Sequence, residues 1–159
     1  MSARQACTVA PYRSEHIEDA WLIDRLCFVD PWLKRSFIEE LKAACALNRV
    51  AADESRVLGF CFGRIILDEY TIHRLAVHPA QRRHGIAACM LQSCLRHAAL
   101  RGALCCHIEV RSGNTAALRL YEGFRFERIG TRTAYYRAGG EDAILMRCML
   151  DTPRPGQSA

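Results

Sequence analysis

Apolar positions along this chain change period several times, and each change marks an element. Ile17, Ala20, Trp21, Ile23 and Cys27 recur at helical spacing, with Asp24 among them, after Ser14, a residue type that caps helix starts. Asp30-Pro31-Trp32 breaks this helix, and a second is expected with Phe37, Ile38, Leu41, Ala44 and Cys45 on one side. The period then switches to that of strands. Residues 49–52 and 57–67 predict two strands joined by a turn at Asp53-Glu54-Ser55, and Asp68-Glu69 reverses into a third that ends at Val77. Helical spacing returns after Gly85 with Ile86, Met90, Leu91, Cys94, Leu95 and Ala98, and Arg101-Gly102 supplies a stop. Beyond it come a strand over 103–110, a short helix over 115–121, and strands over 125–135 and 143–150; residues 5–10 read as a short first strand.

The order β-α-α-β-β-β-α-β-α-β-β predicts an α/β fold with a mixed sheet and helices on its faces. The unit from Ile72 to Val110 should be a right-handed crossover. The chain of 159 residues is most simply one domain, with an ordered core over about 5–150. Pro153-Arg154-Pro155-Gly156 marks residues 151–159 as a flexible tail.

The stretch from Leu75 to Ala87 is the point around which the rest is organised. An apolar strand stops at His78-Pro79, because proline cannot donate into a ladder. A basic loop with Arg82 and Arg83 leads to Gly85, which can take φ > 0 and lets another group approach the backbone. The helix that starts there leaves its first amides unpaired at the positive end of its dipole. Backbone donors, a glycine and two arginines make an anion cradle, most naturally for a diphosphate.

Composition narrows the picture only a little. Half the residues are hydrophobic and a quarter charged, which is ordinary for a globular protein. No run is long enough for a membrane span, and the first residues lack the apolar core of a signal peptide, so the expected location is cytoplasmic. The formal charge of +5 is mild, comes almost wholly from arginine and is spread along the chain, which calls for no nucleic-acid partner. Nine cysteines occupy mostly apolar positions and form no Cys-x-x-Cys pair, so they read as small buried hydrophobes. A metal site from Cys94, His97, Cys105 and His107 lacks zinc spacing and would need a helix and the next strand to converge; no metal is expected.

Two further stretches carry candidate chemistry. In His107-Ile108-Glu109-Val110-Arg111, Ile108 and Val110 take one face and His107 and Glu109 the other. Glu109 is either a solvated or arginine-paired glutamate near the strand end, or a carboxylate kept for a purpose. Asn114 is a good cap for the helix that carries Ala116, Ala117 and Tyr121. Tyr121 can be a core aromatic with its hydroxyl at the rim, or a working phenol. Trp32 reads as a core anchor or as part of a substrate wall, and Tyr135 and Tyr136 as peptide contacts or ordinary strand aromatics.

The spacing Arg82-x-x-Gly85-x-Ala87 resembles the signature of the GCN5-related N-acetyltransferases, placed between a strand and a helix as its mechanism requires. The run from His107 to Phe124, with Asp30-Pro31-Trp32, Tyr135-Tyr136 and Glu141 to Met146, resembles the branch that acetylates ribosomal-protein N-terminal alanines. The likeness spans about residues 14–150. It implies the acetyltransferase fold and acetyl-CoA as co-substrate. Leu75, Ala76 and Val77 would hold the pantetheine arm and thioester through backbone groups. Arg83, His84, Gly85, Ile86, Ala87 and Ala88 would hold the pyrophosphate, and Asn114 would hydrogen-bond to the cofactor. Glu109 matches the family's general base and Tyr121 its general acid. Arg137 stands where relatives tend to have proline, in a short loop that in the family lines the acceptor site, so the chain departs from the family's pattern where the acceptor would bind.

These residue types suit the chemistry. An α-amine with a reference pKa near 8 must lose a proton before it attacks a thioester, and a carboxylate can take it, directly or through a water. A bulged strand near Val77 is a candidate source of an oxyanion donor, and a phenol near the sulfur can protonate the departing thiolate. The implied acceptor is the N-terminal peptide of a small-subunit ribosomal protein. Other protein N-termini, lysines or a small amine are the alternatives within the fold, and a non-catalytic acyl-CoA-binding module the alternative outside it.

Overall fold

The period changes in the sequence correspond to strands and helices in the computed structural model, which describes residues 7–151. In chain order these are β1 (Thr8–Pro11), α1 (Ile17–Cys27), α2 (Lys34–Glu40), β2 (Arg49–Ala52), β3 (Val57–Ile66), β4 (Glu69–Val77), α3 (Ile86–Leu100), β5 (Cys105–Arg111), α4 (Thr115–Gly123), β6 (Glu127–Tyr136) and β7 (Glu141–Met149). The strands form one seven-stranded sheet in the order β1-β2-β3-β4-β5-β7-β6. β4 and β5 pair in parallel, as a helical crossover requires, whereas β1/β2, β2/β3, β5/β7 and β6/β7 are antiparallel. This is the mixed α/β architecture expected. The tail expected over 151–159 lies outside the described residues beyond Asp151. Among the described residues no helix is long and apolar enough to cross a membrane.

The chain divides into two compact units. Of the described residues, the first takes those up to Arg64 together with Arg74–Cys94, and the second Ile65–His73 together with those from Leu95 onward.

The first unit is built on an aromatic core. Tyr12, Ile23, Phe37, Val50, Phe60 and Phe62 are buried together. Ring centroids lie 4.6 Å apart for Tyr12 and Phe62, 4.7 Å for Phe60 and Phe62, and 5.7 Å for Phe37 and Phe60, all tilted or edge-on as ring quadrupoles prefer. The Tyr12 hydroxyl donates to the Phe37 carbonyl at 3.0 Å, so its polar end is satisfied inside the core. Trp32 packs edge-on against Phe37 at 5.9 Å and flanks Phe62 at 6.4 Å, which makes it part of the core's rim.

Two local expectations are corrected. Ser14 does not cap α1: it opens a short 3₁₀ turn (Ser14–His16), and the amide of Arg13 is taken instead by the His16 ring at 3.0 Å. The second helix stops at Glu40, leaving Ile38 and Leu41 exposed. Its end tightens into i+3 bonds from Leu41 to Ile38 (3.3 Å) and Lys42 to Glu39 (3.0 Å). The buried Glu40 carboxylate then binds Arg64 at 2.8 Å and the Asn48 side-chain amide at 2.9 Å, while Asn48 Oδ1 accepts from the Gly63 amide at 3.0 Å. A buried charge with this many partners fixes where the chain must leave the helix.

In the second unit, β5 lies between β4 and β7. The parallel rungs run from Glu69–Cys105 to Ile72–Ile108, whereas β7 follows β5 along its whole length, from Cys105–Met149 to Arg111–Ala143. Cys106, Ile108 and Val110 are buried on one face of β5, with His107 half-buried and Glu109 exposed on the other, the alternation the sequence predicts. β6 is exposed along nearly all its length, and its register with β7 shifts twice.

Candidate active site

Nine of the ten predicted cofactor-side residues, Leu75 to Val77 and Arg83 to Ala88, lie in the first unit, where β4 runs out. The His78 amide donates to the Leu58 carbonyl at 2.8 Å, so that amide is already committed and is no oxyanion donor. Pro79–Gln81 forms a 3₁₀ turn capped by the His78 ring, which accepts from the Ala80 amide at 3.2 Å. Arg83 and Gly85 follow with φ of +65° and +79°. A Cβ on Gly85 would meet nothing within 4 Å, so glycine serves here for its backbone freedom, not for room. The first rung of α3 is Cys89 N–H to Gly85 C=O at 3.0 Å. The amides of Ile86, Ala87 and Ala88 lie ahead of that rung and have no intrahelical acceptor.

Arg82 and Arg83 are exposed beside these amides, and Arg82 also reaches the Cys27 sulfur at 3.4 Å. The Cys27 thiol in turn donates to the Val77 carbonyl at 3.4 Å, tying the end of α1 to the end of β4. Burial pushes this thiol up from its usual pKa, and Arg82 opposes that shift. A turn with two positive-φ residues, three open amides and adjacent guanidinium groups fits a diphosphate.

Leu75, Ala76 and Val77 form the last residues of β4, with Ala76 and Val77 buried. β3 presses against them at Gly59, where a Cβ would lie 2.7 Å from the Ala76 carbonyl oxygen. Arg74, just before them, is a residue the sequence reading missed. Its guanidinium stacks 4.1 Å from the Phe28 ring centroid and 4.7 Å from that of Trp32, and it donates to the Asp30 carbonyl at 2.8 Å. Arg74 Nη1 also lies 3.0 Å from Asp24 Oδ1. The alignment is too poor for a hydrogen bond, so charge attraction alone compensates these two buried atoms. The other oxygen of Asp24 accepts from the Trp32 amide at 2.7 Å. This pair, with Asp24 fully buried and Arg74 largely so, fixes Asp30-Pro31-Trp32 beside β4. Ala20, Ile23, Asp24 and Cys27 fall on one helical face, so a carboxylate inside an apolar stripe was the available signal.

Proton-handling candidates lie in the second unit. Glu109 is exposed on β5 and pairs with Arg132 of β6 at 3.3 Å. Its charge also bears on Tyr136, whose phenol is pushed up from its usual pKa, first by burial and then by Glu109. Arg111 stacks 3.9 Å from the Tyr136 ring centroid, and Tyr135 meets Tyr136 edge-on at 5.2 Å. Asn114 caps α4 as expected, its Oδ1 accepting from the Ala117 amide at 3.2 Å. The loop before it is pinned by Glu141, which takes the Gly113 amide at 2.6 Å and faces Arg111 at 3.4 Å. Tyr121 lies on the buried face of α4 with Leu118, its ring tilted against Phe126 at 5.5 Å. Arg132, the partner of Glu109, is not singled out by the sequence, because an edge strand with no apolar face gives no periodic signal.

The profile of the Acetyltransferase (GNAT) family matches residues 17–126, which cover both the turn at Gly85 and the Tyr121 helix. The chain belongs to this family. It is an N-acetyltransferase. This GNAT chain is 30% identical over 141 residues to a [Ribosomal protein bS18]-alanine N-acetyltransferase of Salmonella typhimurium, covering 87% of this chain and 95% of the relative. It is 36% identical over 122 residues to the N-alpha-acetyltransferase RimI of Mycobacterium tuberculosis, covering 74% and 75%. Among solved structures, it is similar to the ribosomal-protein-S18-alanine N-acetyltransferase of Escherichia coli. The TM-score there is 0.86 at 26% identity, over 97% of this chain and 100% of the other.

Proposed function

We propose that this acetyltransferase moves the acetyl group of acetyl-CoA directly to the N-terminal alanine of a small-subunit ribosomal protein. The observation that carries the cofactor half is the turn at Gly85, where α3 begins with three amides ahead of its first rung. The acceptor half is supported by the similarity to bS18-alanine N-acetyltransferases along nearly their whole length. In this reading Leu75, Ala76 and Val77 hold the pantetheine arm and Arg83 to Ala88 the diphosphate. Asn114 contributes its Nδ2 hydrogens, since Oδ1 serves the helix cap.

Glu109 takes the proton of the incoming ammonium group, whose reference pKa near 8 leaves it largely charged at neutral pH. Its contact with Arg132 does not prevent this. A half-exposed pair of this kind is worth at most about 1 kcal/mol, so a cationic amine can displace it. The free amine attacks the thioester carbon, a carbon–nitrogen bond forms, and the carbon–sulfur bond breaks. The nitrogen sheds its second proton to solvent as the amide forms, Tyr121 gives its proton to the departing thiolate, and solvent then reprotonates Tyr121 and takes the proton held by Glu109. No cysteine nucleophile is needed, because amine and thioester react directly once held together.

The test is release of CoA thiol from acetyl-CoA by the purified chain with a panel of peptides. Turnover with an alanine N-terminus that vanishes when the same N-terminus is blocked is the expected result. Turnover confined to blocked peptides containing lysine, or to small amines, would overturn the acceptor assignment, and no turnover with any amine would overturn the catalytic one.

A further inference from the structure

Glu69, Cys105 and His107 come together in the second unit and have no part in the acetyl transfer described above. Cys105 and His107 are two residues apart on β5 and share its face, and the parallel register sets Glu69 opposite Cys105. The ligand atoms of all three lie within 4.8 Å of one another, the one such trio among the described residues. Cys105 Sγ is 3.4 Å from His107 Nε2, and that nitrogen is 3.7 Å from Glu69 Oε1. Spacing along the chain groups Cys105 and His107 only with Cys94 and His97, a set that predicts no metal. The fold brings Glu69 to them instead, from a strand 36 positions earlier than Cys105, which no spacing rule detects.

The spacing of these atoms is informative. A tetrahedral zinc ion, with bonds of about 2.3 Å to sulfur and about 2.0–2.1 Å to nitrogen and oxygen, holds its ligand atoms roughly 3.3–3.6 Å apart. The sulfur–nitrogen separation already falls in that range, and the nitrogen–oxygen separation is only slightly longer. Glu69 is the exposed member, with 58% of its side chain accessible, so a rotation about its side-chain bonds closes the remaining gap. Cys105 is buried and His107 half-buried, which gives the trio one fixed wall and one adjustable arm.

The donor set is also selective. Thiolate, imidazole and carboxylate together suit a borderline-soft ion and not magnesium or calcium, which take oxygen ligands. Burial and the Glu69 charge keep the Cys105 thiol protonated. Binding of the ion breaks the S–H bond, releases the proton to solvent and forms a zinc–sulfur bond. Thiolate and carboxylate then neutralise the dication. Asp68, beside Glu69, adds to the attraction, and Arg147, the cross-strand partner of His107, opposes it. We propose that Glu69, Cys105 and His107 form a site for one zinc ion, with water in the fourth position.

The full chain, stripped of metal with a chelator, is titrated with cobalt(II) chloride and the thiolate-to-cobalt charge-transfer absorption followed. One equivalent should bind, and zinc chloride should bleach the band. Eight other thiols are present, so the variants decide. Cys105→Ser should abolish the band, His107→Gln should weaken binding about 100-fold or more, and Glu69→Gln about 10-fold. His107→Gln and Glu69→Gln alter accessible side chains, so they remain decisive if Cys105→Ser does not fold. The absence of a band in the wild-type chain, or a band unchanged in His107→Gln, would overturn the site. An unchanged affinity in Glu69→Gln would overturn the three-ligand assignment.

Discussion

Gly59→Ala tests the link between packing in β3 and cofactor capture on β4. The backbone of Gly59 has no positive φ, so the cost of alanine there is purely one of space. An added Cβ would lie 2.7 Å from the Ala76 carbonyl oxygen, 2.9 Å from Met90 Cε and 3.3 Å from Val77 Cγ2. Methionine can swing away, but the carbonyl belongs to the β4 backbone and must move with its strand. Restoring an ordinary contact of about 3.4 Å or more displaces Ala76 by roughly 0.7 Å, and overpacking of this kind costs about 1–3 kcal/mol. For a chain of this size that is a fall in Tm of roughly 3–10 °C. The displaced segment is the one assigned to the pantetheine arm, so the KM for acetyl-CoA should rise several-fold while the KM for the peptide changes little. Thermal unfolding and initial rates at varied acetyl-CoA measure both effects. An unchanged Tm would refute the packing argument. A lowered Tm with an unchanged KM for acetyl-CoA would refute the role given to Ala76 and Val77.

Arg74→Met leaves the Asp24 carboxylate buried without its counter-charge and should cost about 3–5 kcal/mol near neutral pH, read by urea unfolding. Burial holds the Asp24 carboxyl above the usual carboxylate range and Arg74 pulls it back, so the variant raises it further. A carboxyl raised in the folded state costs nothing below its unfolded pKa and costs progressively more as pH rises through its folded pKa, so the penalty should shrink as the pH falls; a pH-independent penalty would contradict this. Tyr121→Phe keeps the ring against Phe126 and should lower stability by no more than about 1.5 kcal/mol. It should lower kcat by about 100-fold, with the loss largest when expulsion of the thiolate limits the rate.

The element around Gly85 was legible because several local signals agree there: a proline that stops a strand, a glycine at positive φ, and an apolar helical period that starts at once. The alternation of Ile108 and Val110 against His107 and Glu109 likewise carried through to β5. What sequence did not reveal depends on contacts between distant positions. α2 ends early because Glu40 is held by Asn48 and Arg64, and no propensity records that. β6 carries Arg132 to Glu109 through a register fixed only by its pairing with β7. From sequence Glu109 is solvated, arginine-paired or functional; the structure supplies Arg132, and the weakness of an exposed pair leaves the carboxylate able to take a proton. Of the nine thiols, Cys61, Cys94, Cys105, Cys106 and Cys148 are buried, in keeping with their apolar positions.

Steady-state rates of Glu109→Gln with acetyl-CoA and an alanine-initiated peptide put the mechanism to the sharpest trial. The variant is isosteric and cannot accept the amine proton. Its kcat at neutral pH should fall by about 100-fold or more, with the KM for acetyl-CoA within about two-fold of the parent and activity partly recovered as rising pH deprotonates the amine. Parental kcat across the pH range would contradict the account.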